Sequence, residues 1–235
     1  MQETVFLAGA AGVIGRCLAP MLRAQGWRVV GTTRSTEKAA ELRAAGVEAV
    51  VVDVFDAAAL DRAVQAARPA IVVHQLTDLP RGLDPARIDE ARLKNARLRE
   101  VGTRHLVAAA VRAGARRMIA QSIAFAYAPR LPPYNEEHPL DTSAPGSVGA
   151  SARGVASLEA QVLAAPLHGI VLRYGRLYGP GTGVDAAPKG GPLHVEEAAR
   201  AACLALTRGE PGIYNIAEDD GFVDVTKAAL LDWPG

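Results

Sequence analysis

Three features of this 235-residue chain predict an α/β fold built on a doubly wound parallel sheet. Short runs of Val, Ile, Leu and Ala alternate with segments of helical apolar spacing, the pattern of strands joined by crossover helices. A glycine-rich loop separates the first run from the first helical segment. Hydrophobic residues make up 49% of the chain but aromatic ones only 5%, so the core is aliphatic, which suits helices layered on a sheet. The length allows one sizeable core and is short for two full domains. Lys and Arg number 26 against 25 Asp and Glu, a net charge of +1 that lacks the basic footprint of a nucleic-acid binder.

In order along the chain, residues 4–8 read as a buried strand running into glycines, and 14–25 as a helix stopped by Gly26. Residues 27–33 form a second strand, 37–45 a helix closed by Gly46, and 47–52 a third strand ending at Asp53. A helix over 57–67 and a strand over 70–74 follow, then a long helix over about 84–113 and a fifth strand over 117–122. Prolines at 129, 132, 133, 139 and 145 make 129–149 irregular. A helix over 152–163, a strand over 169–174, a Gly/Pro-rich stretch over 178–192, a helix over 194–207 and a short strand over 212–216 complete the pattern. The chain reads as a single domain. Its core spans about 1–128, 147–174 and 193–217, and its small C-terminal lobe spans about 129–146, 175–192 and 218–235. Such a lobe sits over the strand ends, where open parallel sheets bind ligands.

Cys17 and Cys203 stand in helical segments as small buried residues, neither a disulfide framework nor a metal cluster, and no metal is assigned. Residues 1–4 carry no basic region before the first apolar run, and no segment offers the roughly 18 apolar residues of a membrane span. The expected location is the cytoplasm. Basic residues concentrate at Arg81, Arg87, Arg92, Lys94, Arg97, Arg99 and Arg104, but interspersed acids make this a solvated helix face rather than a nucleic-acid surface.

The strongest motif is Gly9-Ala10-Ala11-Gly12-Val13-Ile14-Gly15, between first strand and first helix. Glycines there allow a sharp turn and close approach to a diphosphate, which sits on the free N–H groups of the helix N-terminus. The loop therefore predicts a Rossmann-type dinucleotide site. The second strand ends in Thr33-Arg34-Ser35 with no acid before Glu37. A carboxylate there would bind ribose hydroxyls, whereas Arg34, with Thr33 and Ser35, suits a 2′-phosphate. NADP is expected in preference to NAD, the alternative being that Arg34 is a solvated strand-end charge.

The chain resembles the extended short-chain dehydrogenase/reductases, the sugar-nucleotide epimerase and dehydratase superfamily. The likeness runs through the glycine loop, Asp53-Val54, His74-Gln75-Leu76, Gly102-Thr103-Arg104-His105-Leu106 and Gln121-Ser122 through Tyr127. It continues in Leu172-Arg173-Tyr174-Gly175-Arg176-Leu177-Tyr178-Gly179-Pro180-Gly181, in His194-Val195 through Ala198, and in Tyr214-Asn215-Ile216, covering nearly the whole chain. The resemblance implies an NAD(P)-dependent oxidoreductase or epimerase/dehydratase-like enzyme acting on a small molecule, and a homodimer packed through the long helix and the 152–163 helix. It implies that Asp53 and Val54 meet the adenine, and that His74, Gln75, Leu76, Gln121 and Tyr174 line the cofactor.

The family's proton-transferring pair is a Tyr four residues before a Lys, with a Glu four residues further on. Anchored on Glu159, those positions hold Ser151 and Val155, and no Tyr or Lys occurs between Tyr134 and Tyr174. The family's Asn three residues before Gly102 is Arg99. Carbonyl reduction still requires a donor at the developing oxyanion. Ser122 is the first candidate and Tyr127 the second; the alternatives are a backbone bond for Ser122 and packing under the lobe for Tyr127. The ring of His74 more readily fixes its loop than transfers protons. Arg173, Arg176 and Tyr178 are candidates for an anionic substrate, against ion pairing of the arginines with Glu196 or Glu197. Beside the enzyme reading stand a catalytically silent NADP sensor and a lyase or cyclase holding its cofactor as structure.

Overall fold

The computed structural model describes residues 2–79 and 84–234; Arg81 of the basic stretch and Gly235 of the expected lobe lie outside them. Five α/β units run β1 (Thr4–Ala8), α1 (Val13–Ala24), β2 (Arg28–Thr33), α2 (Thr36–Ala44), β3 (Glu48–Val51), α3 (Ala57–Ala67), β4 (Ile71–His74), α4 (Ile88–Arg97), α5 (Thr103–Arg112) and β5 (Arg117–Ile123). The chain continues through α6 (Gly146–Ala164), β6 (His168–Tyr174), β7 (Arg176–Tyr178), β8 (Pro192–His194), α7 (Val195–Leu204) and β9 (Gly212–Ile216). Seven strands form one sheet in the order β3-β2-β1-β4-β5-β6-β9, all neighbours parallel. This is the Rossmann arrangement, with its order reversing beside β1.

The period of two along β1 divides the core. Val5 and Leu7 join the layer holding Ile14, Leu18 and Leu22 of α1 with Ala198 and Ala202 of α7. Phe6 and Ala8 face the opposite layer, with Leu60 and Val64 of α3, Leu106 and Ala109 of α5, and Leu158 and Val162 of α6. Both faces of the sheet are thus covered, which is why its strands read as continuous apolar runs.

The structure revises four readings. The expected helix over 84–113 is a 3₁₀ turn at Pro85–Arg87, then α4, then a π-turn at Leu98–Gly102, then α5. A π-turn adds one residue to the winding and re-aims the side chains around it; Leu98 and Arg99 are buried there. Helix α6 starts at Gly146, six residues earlier than expected, with Pro145 as its N-cap. A Cβ on Gly154 would lie 2.7 Å from Ala96 Cα, so α6 and α4 pack in direct backbone contact. Tyr178 falls in β7, which pairs in parallel with β8. The C-terminal end belongs to the main core: Ala228, Leu231 and Trp233 pack with Tyr214 of β9. A separate small cluster unites Ala124, Tyr127, Tyr134, Ala217 and Val223 over the ends of β5 and β9.

A buried ion pair joins α6 to β6. Arg173 in β6 donates from Nε and Nη2 to the two carboxylate oxygens of Glu159 on α6, at 2.8 and 2.6 Å, with side chains 3% and 6% exposed. Ser122 of β5 donates to Glu159 Oε1 at 2.8 Å. The third guanidinium nitrogen, Nη1, reaches Glu136 O at 3.2 Å, and the group lies 4.9 Å above the Tyr127 ring. Removing one partner of such a pair strands the other's charge at low dielectric. Glu159→Gln is expected to lower unfolding stability by about 3–5 kcal/mol in urea titrations; a loss below about 1 kcal/mol would show that Arg173 is solvated without it.

Candidate cofactor cleft and active site

The glycine loop is shaped for close approach. Gly9 has φ of +91°, and a Cβ there would lie 2.6 Å from Gln75 O. A Cβ on Gly15 would run into the carbonyl oxygens of Gly9 and Ala10. Helix α1 then begins with no side-chain cap and no acid in its first turn. Its leading N–H groups have no intrahelical acceptor, and the positive end of its dipole is unopposed. Those features fit a dinucleotide diphosphate. Val13 is half-buried and Ile14 buried, so the latter contributes backbone to the loop and its side chain to the core.

A cleft of about 140 Å³ runs from this loop across the strand ends. Thr33, Arg34 and Lys38 line one end, Asp53, Val54 and Phe55 the next, and Gln75, Leu76 and Leu98 the other side. Arg34 pairs with Asp78 at 3.1 Å in an exposed contact, so its guanidinium remains open to exchange. Ser35 is the N-cap of α2, its Oγ accepting from Lys38 N at 3.2 Å. Lys38 was not anticipated; its signal is a second cation one helical turn beyond Arg34.

At the end of β4, His74 is wholly buried. Its Nδ1 accepts from Leu76 N at 3.3 Å, which leaves Nε2 to donate to Thr103 Oγ1 at 3.0 Å. Burial, helped by the charge of Arg99, pushes its pKa down to about 4. The ring is therefore a neutral clamp on the loop carrying Gln75 and Leu76. Gln75 Nε2 donates to Tyr174 Oη at 3.2 Å, while its buried Oε1 has no acceptor role filled among the described residues. That unfilled oxygen, on a residue lining the cleft, fits a ligand donor. Tyr174 is 1% exposed, and burial raises its pKa, so it supports Gln75 from behind rather than touching the cofactor. Gln121 is half-buried at the end of β5.

Ser122 and Tyr127 are both committed internally, which corrects the expectation that they face the reacting groups. The Ser122 hydroxyl donates to Glu159, and Tyr127 donates to Asn215 Oδ1 at 2.6 Å while stacking on Tyr134. Burial raises the Tyr127 pKa. Arg173 is likewise occupied by Glu159, neither free for substrate nor paired with Glu196 or Glu197. Tyr178 donates to Glu218 Oε1 at 2.8 Å. Arg176 differs from these: its guanidinium lies 4.5 Å above the exposed Phe125 ring and has no ion-pair partner among the described residues. Phe125 escaped the sequence reading because a lone aromatic after a strand carries no pattern. Arg99 donates to Ser151 Oγ at 3.2 Å, which brings together two of the positions where the motif pattern breaks.

The family model described as NAD(P)H-binding matches residues 9–203. The chain belongs to this NAD(P)H-binding family. It is 44% identical over 239 residues to a 3-diazoavenalumate denitrifying reductase from a Streptomyces species, spanning 92% of this chain and 76% of that protein. Its fold matches Thermotoga maritima UDP-glucose 4-epimerase, with a TM-score of 0.76 at 19% identity over 97% of this chain and 80% of that one. It also matches the Bordetella bronchiseptica enzyme WbmH in complex with NAD+, with a TM-score of 0.72 at 22% identity over 99% and 80%. The protein is thus an NAD(P)-dependent oxidoreductase-like enzyme on the extended short-chain dehydrogenase/reductase fold.

The His74 clamp gives this NAD(P)H-binding enzyme a signature in pH. The unfolded state takes up a proton near pH 6.5 and the native state only near pH 4. Stability is therefore complete above 6.5 and lost as pH falls toward 4, by about 3 kcal/mol in all. Urea titrations across that window are expected to show this slope, and His74→Gln to flatten it; an unchanged slope in the variant would contradict the clamp.

Proposed function

We propose that this enzyme is an NADPH-dependent reductase that removes dinitrogen from a planar, unsaturated carboxylate bearing a diazo group. Similarity to the denitrifying reductase motivates the substrate class. The observation that carries the chemistry is the lack of a side chain acidic enough to yield a proton where the family keeps one: α6 contains neither Tyr nor Lys, Ser151 standing in the Tyr position, and the Ser122 and Tyr127 hydroxyls are engaged inside the protein. Bound NADPH supplies a hydride. Replacing the N₂ unit of an aryldiazonium by that hydride breaks one C–N bond, forms one C–H bond and expels dinitrogen, with charge balanced and no proton consumed. Carbonyl reduction, in contrast, leaves an alkoxide that must be protonated.

The residues take their parts accordingly. Gly9, Gly12, Gly15 and the N–H groups of α1 hold the diphosphate, and Asp53 and Val54 meet the adenine. Arg34 and Lys38, aided by Thr33, receive the 2′-phosphate, and this cationic pair without a nearby competing acid on β2 supports NADP over NAD. Gln75, Leu76 and Gln121 border the rest of the cofactor. Arg176 over Phe125 offers a cation beside an open aromatic face, suited to the carboxylate and the plane of the substrate. Exposed Leu93 on α4 with Val148 and Leu163 on α6 supports a homodimer across that face.

Anaerobic turnover of 3-diazoavenalumate with NADPH, followed by gas mass spectrometry and product analysis, tests the reading. One dinitrogen and one denitrified product per NADPH oxidised are expected; NADPH binding without turnover would instead favour the silent sensor. Arg34→Gln is expected to weaken NADPH by about tenfold or more, about 1.4 kcal/mol, and to leave NADH little changed. Equal losses for both cofactors would remove Arg34 from the 2′-phosphate site.

A further inference from the structure

We infer that Arg99 and Ser151 form a buried site for a single oxyanion of the substrate, a phenolate or enolate oxygen conjugated with the reacting group. Arg99 stands on the π-turn between α4 and α5, directly after Leu98, which lines the cleft beside Leu76. The turn carries the guanidinium inward, where it is 8% exposed and makes one side-chain bond among the described residues, to Ser151 Oγ at 3.2 Å. A guanidinium has five donors and no means of shedding its charge at ordinary pH. Leaving it buried with one neutral acceptor is costly unless an anion completes the site.

The neighbouring carboxylate does not complete it. Glu159 acts on Arg99 through space, but its oxygens are taken by Arg173 and Ser122 at 2.6–2.8 Å. The carboxylate of Glu136 is turned to Asn215 N at 2.7 Å, and His74 is neutral and bonded to Thr103 and Leu76. Burial draws the Arg99 pKa down to about 10, so it stays cationic near neutrality, when an anion would be held best.

The geometry selects the class of anion. Ser151 Oγ accepts from Arg99 Nη1, and its own O–H has no acceptor among the described residues and can donate. Nη1 carries a second N–H beside that O–H, so the two side chains together offer a pair of donors to one oxygen. The remaining guanidinium N–H groups and the Ser151 O–H are suited to a point acceptor, which is one oxygen rather than two. Arg176, on Phe125, retains its whole fork for a carboxylate.

An oxygen conjugated with a diazo group feeds electrons into the carbon that bears the nitrogens and blunts that carbon toward hydride. A cation and a donor on that oxygen hold the charge there, leaving the nitrogen end with diazonium character. Arg99 then acts as a catalytic residue that touches the substrate. This last step rests on the denitrifying reading; the oxyanion site itself does not.

The ionisation of 4-nitrophenol, read from its colour, tests the site on the NADP⁺-loaded enzyme without turnover. Bound nitrophenol is expected to ionise about one unit lower than in solution, a tenfold preference for the anion. Arg99→Gln should abolish the shift, Ser151→Ala reduce it, and Arg99→Lys and Arg176→Gln retain it. Thermal melts check each fold; should Arg99→Gln not fold, Ser151→Ala and Arg99→Lys carry the test. No shift in the wild type, or a shift retained in Arg99→Gln or undiminished in Ser151→Ala, overturns the proposal. A wild-type shift with no dinitrogen release from diazo substrates would keep the site and defeat the denitrifying function.

Discussion

The carboxylate of Glu159 is where three layers of this molecule meet. It stands on α6, takes two hydrogen bonds from Arg173 in β6 and a third from Ser122 in β5, and through Arg173 reaches the Tyr127 ring and the Glu136 carbonyl of the lobe. Arg173 illustrates the balance of forces in such a place. Burial works against its charge, yet the hydrogen bonds and attraction of Glu159 outweigh that cost and raise its pKa overall. The same network withdraws Ser122, Tyr127 and Arg173 from solvent and substrate alike. Chemistry at this end of the sheet falls to whatever polar groups the network leaves unclaimed.

At the opposite end of the cleft the logic is reversed, because the protein leaves positive potential unopposed. Helix α1 begins uncapped and without acids, and Arg34 is held only by an exposed partner. Groups of this kind are inexpensive to expose in water and are available when a phosphate arrives. His74 links the two ends: neutral and fully buried, it pins the backbone of Leu76 to α5 and so sets where Gln75 presents its unsatisfied oxygen.

The alternation of strands and helices was legible because parallel strands buried on both faces must be aliphatic throughout, and β1 and β4 are wholly buried. The glycine loop was legible because its side-chain-free positions are dictated by local backbone contacts. What lay beyond the sequence was long-range. Nothing near Ser122 announces that a carboxylate 37 residues away accepts its hydrogen bond. Nothing near Phe125 predicts a guanidinium above it, and a π-turn at Leu98–Gly102 has the same composition as the helix around it. Gly146 and Gly149 looked like a loop because helix propensity disfavours glycine, whereas Gly146 opens the helix at a φ of +61° and Gly149 lies hard against the Ala144 backbone.

The proposed reaction delivers a hydride and draws no proton from the protein. The product of turnover in deuterium oxide, with ordinary NADPH, reports on this most directly. The account predicts that the carbon relieved of dinitrogen carries protium alone and that kcat shows no solvent isotope effect near neutral pH. Deuterium at that carbon, or a substantial solvent effect on kcat, would contradict it by requiring a proton donor that α6 does not supply.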